Sequence, residues 1–583
     1  MKKCYEMMGV LWIACVIALT GVAAFGILNG CINAFLSGKF VLADYARYTS
    51  MIWNSGQGRL FQFETGENYL YTHLSFSLAL LGPLFRLWDH PFLLSLLQWV
   101  MLVSGGALLW VSASRNEMPL PVKASLVFFF IGYPFTQGVM LSEFHTVGPY
   151  FLLLPWLYEC CRRRRGMTII PMALLLGLRE DAFLVVAPVL AVMAYQQGWR
   201  AGYLYAAAAV GYGVAAIFCI YPWINEISVF SRRANYIGAP EVTQGAVLRR
   251  LEGLWLTLLP LVALAPFKRI WRPALMLLGG LAPALLSVYA NQQRLWAIYA
   301  APVMTVLPLV IMEAWREPQE RRQSARRVWI AAVASVIVTL MVHFMNRGYI
   351  LQGGGSKRCY QRPSPMHQIA FRVSQCIPKD KAVLTDTDLC GMVGNRQRVW
   401  DWDAYVESRD RYDVIWMRLQ DLPRRMDGRL LDELRDGRVG VRYLDDLFVV
   451  LERGYDTSAN REALDKVRRA PFWMVSALAR AGRDMDSPCG PVRYWEGDAS
   501  LAPVILVYRK TRVMPPGVYR AVLYYRAAAP RKTKSGKWGV LSLHNAQEQG
   551  AVIVEKEIPP VENADWMLRE CEVELLLRKE TEV

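Results

Sequence analysis

The chain changes character once, near residue 345. Up to about Phe344 it is a succession of long apolar runs, and from Asn346 it turns to an ordinary mixed, charged composition. A helix that is apolar all round must be surrounded by other helices or by lipid, and one soluble core cannot absorb so many. The candidate spans are 9–28, 91–113, 124–140, 147–160, 167–178, 182–197, 201–221, 251–267, 273–290, 297–314 and 328–345. A crossing helix needs about 20 apolar residues, so several of these are short. The run 74–88 carries Pro83 and Arg86 and suits the interface as well as a crossing. The expectation is a multi-pass α-helical membrane domain over 1–345 with about 11 spans. The first run is read as an uncleaved anchor, because its 20-residue core exceeds a usual signal-peptide core.

The formal net charge of +17 has a place in that scheme. Lys2 and Lys3 precede the first span, and Arg162, Arg163, Arg164 and Arg165 follow the fourth. Lys268, Arg269 and Arg272 follow the eighth, and Arg316, Arg321, Arg322, Arg326 and Arg327 precede the last. If 74–88 does not cross, eleven crossings put all four clusters on one side, which the positive-inside rule makes the cytoplasm. The N-terminus is then on the cytoplasmic side and the tail on the other. The exported parts are the 29–73 loop, the 141–146, 179–181 and 291–296 turns, the 222–250 loop and the tail. Nucleic acid is a poor partner, since no arginine cluster is interleaved with stacking aromatics on a soluble face. At 54% hydrophobic, the chain is neither disordered nor a typical soluble enzyme.

The exported polar residues are where chemistry is expected. Asp44, Arg47, Trp53, Asn54, Gln57, Arg59, Glu64, Glu67 and His73 crowd the first loop. There Tyr45, Tyr48 and Ile52 recur at helical spacing. A carboxylate just past a span, beside aromatics, suits a general base working at the interface; the competing reading is a solvated interfacial helix. Ser142-Glu143-Phe144-His145 forms a polar turn between apolar runs. Arg179-Glu180-Asp181 interrupts a strongly apolar stretch, where three ionisable residues are expensive unless they face a cavity, the surface or one another. Arg179 suits a phosphate or carboxylate, and an internal ion pair fits equally. Arg232, Arg233, Arg249 and Arg250, with Tyr236 in the same 222–250 loop, oppose the positive-inside trend by their arginine charges, as Arg294 does in its turn. An anionic headgroup or diphosphate is one explanation and anionic lipid in general another.

The order Asp44, Trp53-Asn54, Gly58, His73, Phe144-His145, Arg179-Glu180-Asp181 resembles a bacterial membrane family known as domain of unknown function 2079. The likeness runs over 30–315. It continues through Ile377-Pro378, Val383, Asp386, Asn395-Arg396 and Val449 to Gly454. Arg179 stands where that family more often has lysine. Trp296-Ala297-Ile298-Tyr299 stands where it tends to have a His-Tyr pair, so no role for that histidine carries over. The family in turn resembles the fold-C glycosyltransferases, which use polyprenyl-phosphate-linked sugars. That resemblance implies Asp44 as catalytic base, with Glu143, His145, Arg179 and Glu180 lining the donor or acceptor site.

The tail reads as an exported α/β domain over 346–457, a helical linker over 458–489 and a β-sandwich over 490–583 that resembles a carbohydrate-binding module. Strands are expected at Lys381–Thr385, Arg398–Trp402 and Tyr412–Met417, a helix at Leu430–Arg435, and a hairpin from Gly440–Leu444 and Leu447–Glu452. Later strands are expected at Val504–Tyr508, Gly517–Arg526, Val540–Leu543, Ala551–Glu555 and Glu572–Leu577. Trp495, Trp538 and Trp566 offer faces for sugar or, more commonly, core. Of the eleven cysteines, Cys359, Cys376, Cys390, Cys489 and Cys571 lie in the tail, and Cys376–Cys390 is the nearest pair for a disulfide.

The leading expectation is a membrane glycosyltransferase that passes a sugar from a polyprenyl phosphate to an envelope glycan or lipid acceptor. The alternatives are a lipid-linked glycan transporter or flippase and a non-catalytic glycan-binding envelope protein. No cofactor is required. Asp44, Glu143 and His145 can supply ligands to a divalent metal, but no ligand-spaced motif demands one.

Overall fold

The computed structural model describes residues 2–40, 42–63, 67–163, 165–232, 243–264, 270–295, 297–316, 325–344, 363, 365–401, 412–419, 429–445, 447–469, 480–483, 491–494, 513–514, 517–525, 539–545, 551–558, 569–577 and 581–582. The chain divides into two compact units. One is Met1–Arg362 with Ile377–Tyr412; the other is Pro363–Cys376 with Asp413–Val583. Each unit thus takes residues from the segment expected at 346–457.

The first unit is helical, and a helix stands at each of the expected spans. They are Lys2–Leu36, Leu93–Arg115, Leu120–Gly132 followed by Pro134–Leu141, Tyr150–Arg163, Ile169–Leu176, Phe183–Gln197, Arg200–Ala215, Gln244–Leu264, Leu278–Leu286, Ala301–Trp315 and Ala325–Val342. Among the described residues five stretches are long and apolar enough to cross a membrane: Gly9–Leu36, Leu93–Arg115, Leu120–Leu141, Arg200–Asn225 and Ile298–Trp315. The run 74–88 folds as a 3-10 turn, Phe76–Leu81, and a single α turn, Leu84–Leu87. Together these cover about 21 Å, short of the roughly 30 Å of hydrocarbon.

Burial separates the rim of this unit from its centre. Val10, Leu11, Ile17, Val22 and Phe25 of the first helix face outward, whereas 94% of the apolar window in Leu120–Leu141 is buried. Outward apolar side chains of this density need lipid rather than water around them. The central pair breaks at Tyr133, held at ψ 137° because Pro134 disfavours helical geometry in the residue before it. Helices Leu93–Arg115 and Tyr150–Arg163 touch backbone to backbone at Gly105, where a Cβ would lie 1.8 Å from the Phe151 carbonyl oxygen.

Buried carboxylates tie the basic ends of the helices together. Glu159 accepts from Ser112 Oγ at 2.6 Å and from Arg115. Glu313 accepts from the Tyr158 hydroxyl at 2.7 Å and faces Arg316 at 3.3 Å and Arg162 at 3.7 Å. Arg115, Arg162 and Arg316 therefore gather at one end of the bundle. Gln98, on the same helix as Arg115, lies about 26 Å up that helix from it.

The stretch Ile377–Tyr412 carries two short parallel strands, Val383–Thr385 and Val399–Asp401, paired Val383 to Val399. A 3-10 turn, Cys390–Val393, lies between them in sequence. Gly391 abuts Phe40, whose carbonyl oxygen would be 2.1 Å from a Cβ there.

In the second unit, Val414–Arg418 and Val439–Leu444 each pair antiparallel with Phe448–Arg453, so the expected hairpin forms. Asp445 Oδ1 closes its turn by accepting from the amides of Leu447 at 2.7 Å and Phe448 at 2.6 Å. Further along, Gly517–Tyr525 pairs with Arg569–Leu577 and Gly539–Asn545 with Ala551–Ile558, both antiparallel. The expected strand Val504–Tyr508 and Trp495, Trp538 and Trp566 lie outside the described residues. Cys376 and Cys390, the nearest pair for a possible disulfide, are not in one: Cys376 is exposed and Cys390 is fully buried. Of the other tail cysteines, Cys359 and Cys489 lie outside the described residues, and the side chain of Cys571 is not described.

Candidate functional site

The first loop enters the bundle as a π-helical turn, Leu42–Ala46, running into helix Arg47–Gly56. Asp44 and Tyr48 are four residues apart, so both sit on one helical face. That face meets the turn between helices Pro134–Leu141 and Tyr150–Arg163. Asp44 Oδ2 lies 3.6 Å from His145 Nε2, with the Asp44 side chain 48% exposed and that of His145 11% exposed. The Tyr48 ring packs edge-on against His145 and Phe144, with centroids 5.8 Å away in each case. The Tyr48 and Tyr69 rings pack together, with centroids 5.5 Å apart. Glu143 turns aside to accept from the Tyr45 amide at 3.0 Å.

Gln98 fixes the turn. Its Oε1 accepts from the His145 amide at 3.3 Å, and its Nε2 donates to the Glu143 carbonyl at 3.4 Å. A polar residue within an otherwise apolar run was the sequence signal that marked it, and the reading of the exported loops passed over it.

The second half of the site is the Arg179-Glu180-Asp181 turn. Glu180 is buried and carries two hydrogen bonds from the end of the first loop. Its partners are His73 Nδ1, at 3.1 Å, and the Leu74 amide, at 3.3 Å. Ser75 Oγ donates to the Leu178 carbonyl at 2.9 Å, which continues the seam. Arg179 donates to Asp181 at 2.8 Å, while its buried Nε has no hydrogen-bond partner. Arg179 and Asp181 thus form an ion pair within the triplet.

Electrostatics joins the two halves. Burial lowers the His145 pKa; Asp44 opposes the shift and Arg179 and His73 reinforce it, so the imidazole is neutral at pH 7. Burial and the neighbouring Asp44 push the Tyr48 hydroxyl up to about 12. Burial works against the Arg179 charge, but Asp181 and Glu180 outweigh it and hold the guanidinium protonated. The assembly thus offers a half-exposed carboxylate, a neutral imidazole beside it and a permanent cation with a spare donor.

Not every expected residue joins it. Trp53 and Asn54 look away: Trp53 Nε1 donates to Asp89 Oδ1 at 3.1 Å, and Asn54 Nδ2 donates to the Gln397 carbonyl at 3.2 Å. Asn54 is fully buried and Trp53 nearly so. Arg47 is half-buried one turn ahead of Ser50 on the same helix. Arg294 pairs with Glu252 at 3.5 Å, Arg249 donates to Gln293 at 2.8 Å and Arg250 to the Ser287 carbonyl at 3.0 Å. Arg232 ends the short helix Val229–Arg232, where its side chain is not described, and Arg233 and Tyr236 lie outside the described residues. Among the described residues no group of three His, Cys, Asp or Glu side chains converges to hold a metal.

Fold and site together define a membrane-type helical bundle with a carboxylate–imidazole–guanidinium cluster at the end away from its Arg115–Arg162–Arg316 group. The chain belongs to the family described as predicted membrane protein (DUF2079), whose model matches residues 35–437. Among solved structures it is similar to that of ArnT from Cupriavidus metallidurans bound to undecaprenyl phosphate. The identity is 12%, over 76% of this chain and 98% of that one, with a TM-score of 0.44. The apo structure of the same protein matches at 13% identity and a TM-score of 0.42, with the same coverage. No curated protein matches the chain by sequence.

Proposed function

We propose that this protein is a membrane glycosyltransferase. It takes a sugar from a polyprenyl-phosphate donor and passes it to an envelope glycan or lipid acceptor at the outer face of a bacterial cytoplasmic membrane. The observation that carries the reading is the half-exposed Asp44 carboxylate held 3.6 Å from buried His145, with the Arg179 cation electrostatically coupled to both the imidazole and Tyr48. Asp44 accepts the acceptor hydroxyl proton as the new bond to the anomeric carbon forms. The bond from that carbon to the phosphate oxygen breaks, and Arg179 steadies the charge left on the lipid phosphate. Neutral His145 orients the Asp44 carboxylate. Glu180 and His73 act behind them by pinning the turn that carries Arg179. The basic ends of the helices, far from Asp44, support an N-terminus in the cytoplasm and a site on the opposite side. The tail after the last span is exported on this reading, and its strand pairs from 517 onward serve as a glycan-binding sandwich.

The test is Asp44→Asn expressed at normal level in cells, followed by analysis of lipid-linked sugars and envelope glycans. Lipid-linked sugar accumulates and the glycan loses one sugar if the reading holds. Unchanged glycans sink it. Intact sugar transfer with failed glycan export replaces it with transport.

A further inference from the structure

Asp89 lies in the link between the broken helical run Phe76–Leu87 and helix Leu93–Arg115, apart from the cluster around Asp44. It nevertheless ties together parts of the chain far apart in sequence. Its Oδ1 accepts from Trp53 Nε1 at 3.1 Å and from Asn395 Nδ2 at 2.9 Å, and its Oδ2 takes the Lys379 ammonium at 2.5 Å. The Asp89 carbonyl accepts from Lys379 and Asn395 as well, at 2.9 and 3.3 Å. One carboxylate thus joins helix Arg47–Gly56 to a stretch of chain beyond the last apolar helix.

That stretch grips the same helix by two further routes. Ser50 Oγ donates to the Arg396 carbonyl at 3.1 Å, and Asn54 Nδ2 to the Gln397 carbonyl at 3.2 Å. At Gly394 a Cβ would stand 3.0 Å from Thr49 Cβ and 3.2 Å from Ala46 Cα, so the strand-to-strand link lies close against the turn that bears Asp44 and a side chain there would press on it. Arg396 makes this stretch rigid: it is fully buried, donating to the carbonyls of Val393 at 2.7 Å and Pro378 at 3.1 Å. A buried cation so placed needs a carboxylate nearby, and Asp89 is the first that acts on it.

We infer that Asp89 is a positioning residue through which residues 379–397 set the seat of helix Arg47–Gly56, and so the approach of Asp44 to His145. The inference rests on the proposed role of Asp44 for its functional consequence alone; the mechanical coupling stands without it. It gives the Trp53-Asn54 and Asn395-Arg396 pairs one common job. It also gives this stretch, beyond the last span, a part in the membrane-embedded site.

Hydrogen–deuterium exchange on the purified full-length chain in lipid nanodiscs tests it. Asp89→Asn removes the charge and sets an amide against Lys379. Exchange is expected to rise roughly tenfold in 47–56 and in 379–397 together, with no change in 150–163. Adding Lys379→Gln restores protection in both, because the amide nitrogen of Asn at 89, standing where Oδ2 met Lys379, then donates to the new amide oxygen while its Oδ1 still accepts from Trp53 and Asn395. Should Asp89→Asn fail to insert, Gly394→Ala reads the same coupling and raises exchange in 47–56. Unchanged exchange in 47–56, or a double variant no better protected than Asp89→Asn alone, overturns the inference. Sugar transfer measured on the same variants falls and recovers with exchange. If Asp44→Asn leaves glycans untouched while the exchange pattern holds, the proposed function fails and the positioning role survives.

Discussion

Asp44 Oδ2 and His145 Nε2 stand 3.6 Å apart, one on the first loop and one on the turn after helix Pro134–Leu141. Neither residue is sheltered alike. The carboxylate is half open to solvent, while the imidazole is nearly closed off and stripped of its proton by burial. A base that must meet a substrate and a partner that must only hold it in place need this asymmetry.

Asp44→Asn keeps the shape and removes the basicity. Transfer is expected to fall about 100- to 10,000-fold, the range for losing a general base. Asp44→Glu retains a basic group displaced by one methylene and keeps a measurable fraction. Radiolabelled sugar incorporation in isolated membranes checks both.

His145 makes stability depend on pH. Its pKa is lowered in the fold, so the unfolded chain binds more protons once pH drops below its ordinary value of about 6.5. The stabilising contribution is fully present above that value and is lost as pH falls toward the lowered folded pKa. Thermal melts in detergent at stepped pH are expected to show the decline. His145→Gln flattens the share that belongs to this residue, with Asp44, Arg179 and His73 left in place.

Arg179→Lys preserves a cation but loses the planar fork. It is expected to retain activity, weakened about tenfold. Arg179→Ala leaves Asp181 and Glu180 without the cation between them and abolishes donor use. Complementation of a deletion strain, scored by envelope glycan, separates the two.

Gln98→Leu is sterically mild but leaves the His145 amide and the Glu143 carbonyl unpaired where water is excluded. A cost of about 1–3 kcal/mol is expected. Gly105→Ala costs as much or more, since the new methyl meets the Phe151 carbonyl and two helices must separate. Both are read as a lowered midpoint in thermal unfolding of the detergent-solubilised protein.

The positions of the helices were legible in the sequence, because apolar periodicity and length are local properties. The same holds for the 440–452 hairpin, where Asp445 supplies the turn chemistry itself. The first loop, the Phe144-His145 turn and the Arg179 triplet were also legible as the polar places to look, since ionisable groups next to apolar runs are costly without a reason. What each polar residue does was not legible there. Trp53 and Asn54 belong to the same local motif as Asp44, yet they turn to Asp89 and Gln397 and carry structure.

By itself the sequence determined that this chain is a series of apolar helices and marked the polar loops between them as the places to look. Only the tertiary structure decided which loop residues meet. The pairing of Asp44 with His145, of His73 with Glu180 and of Asp89 with Asn395 joins positions far apart in the chain. Such contacts are set by how the helices pack, and no local pattern of residues encodes the distance between two loops.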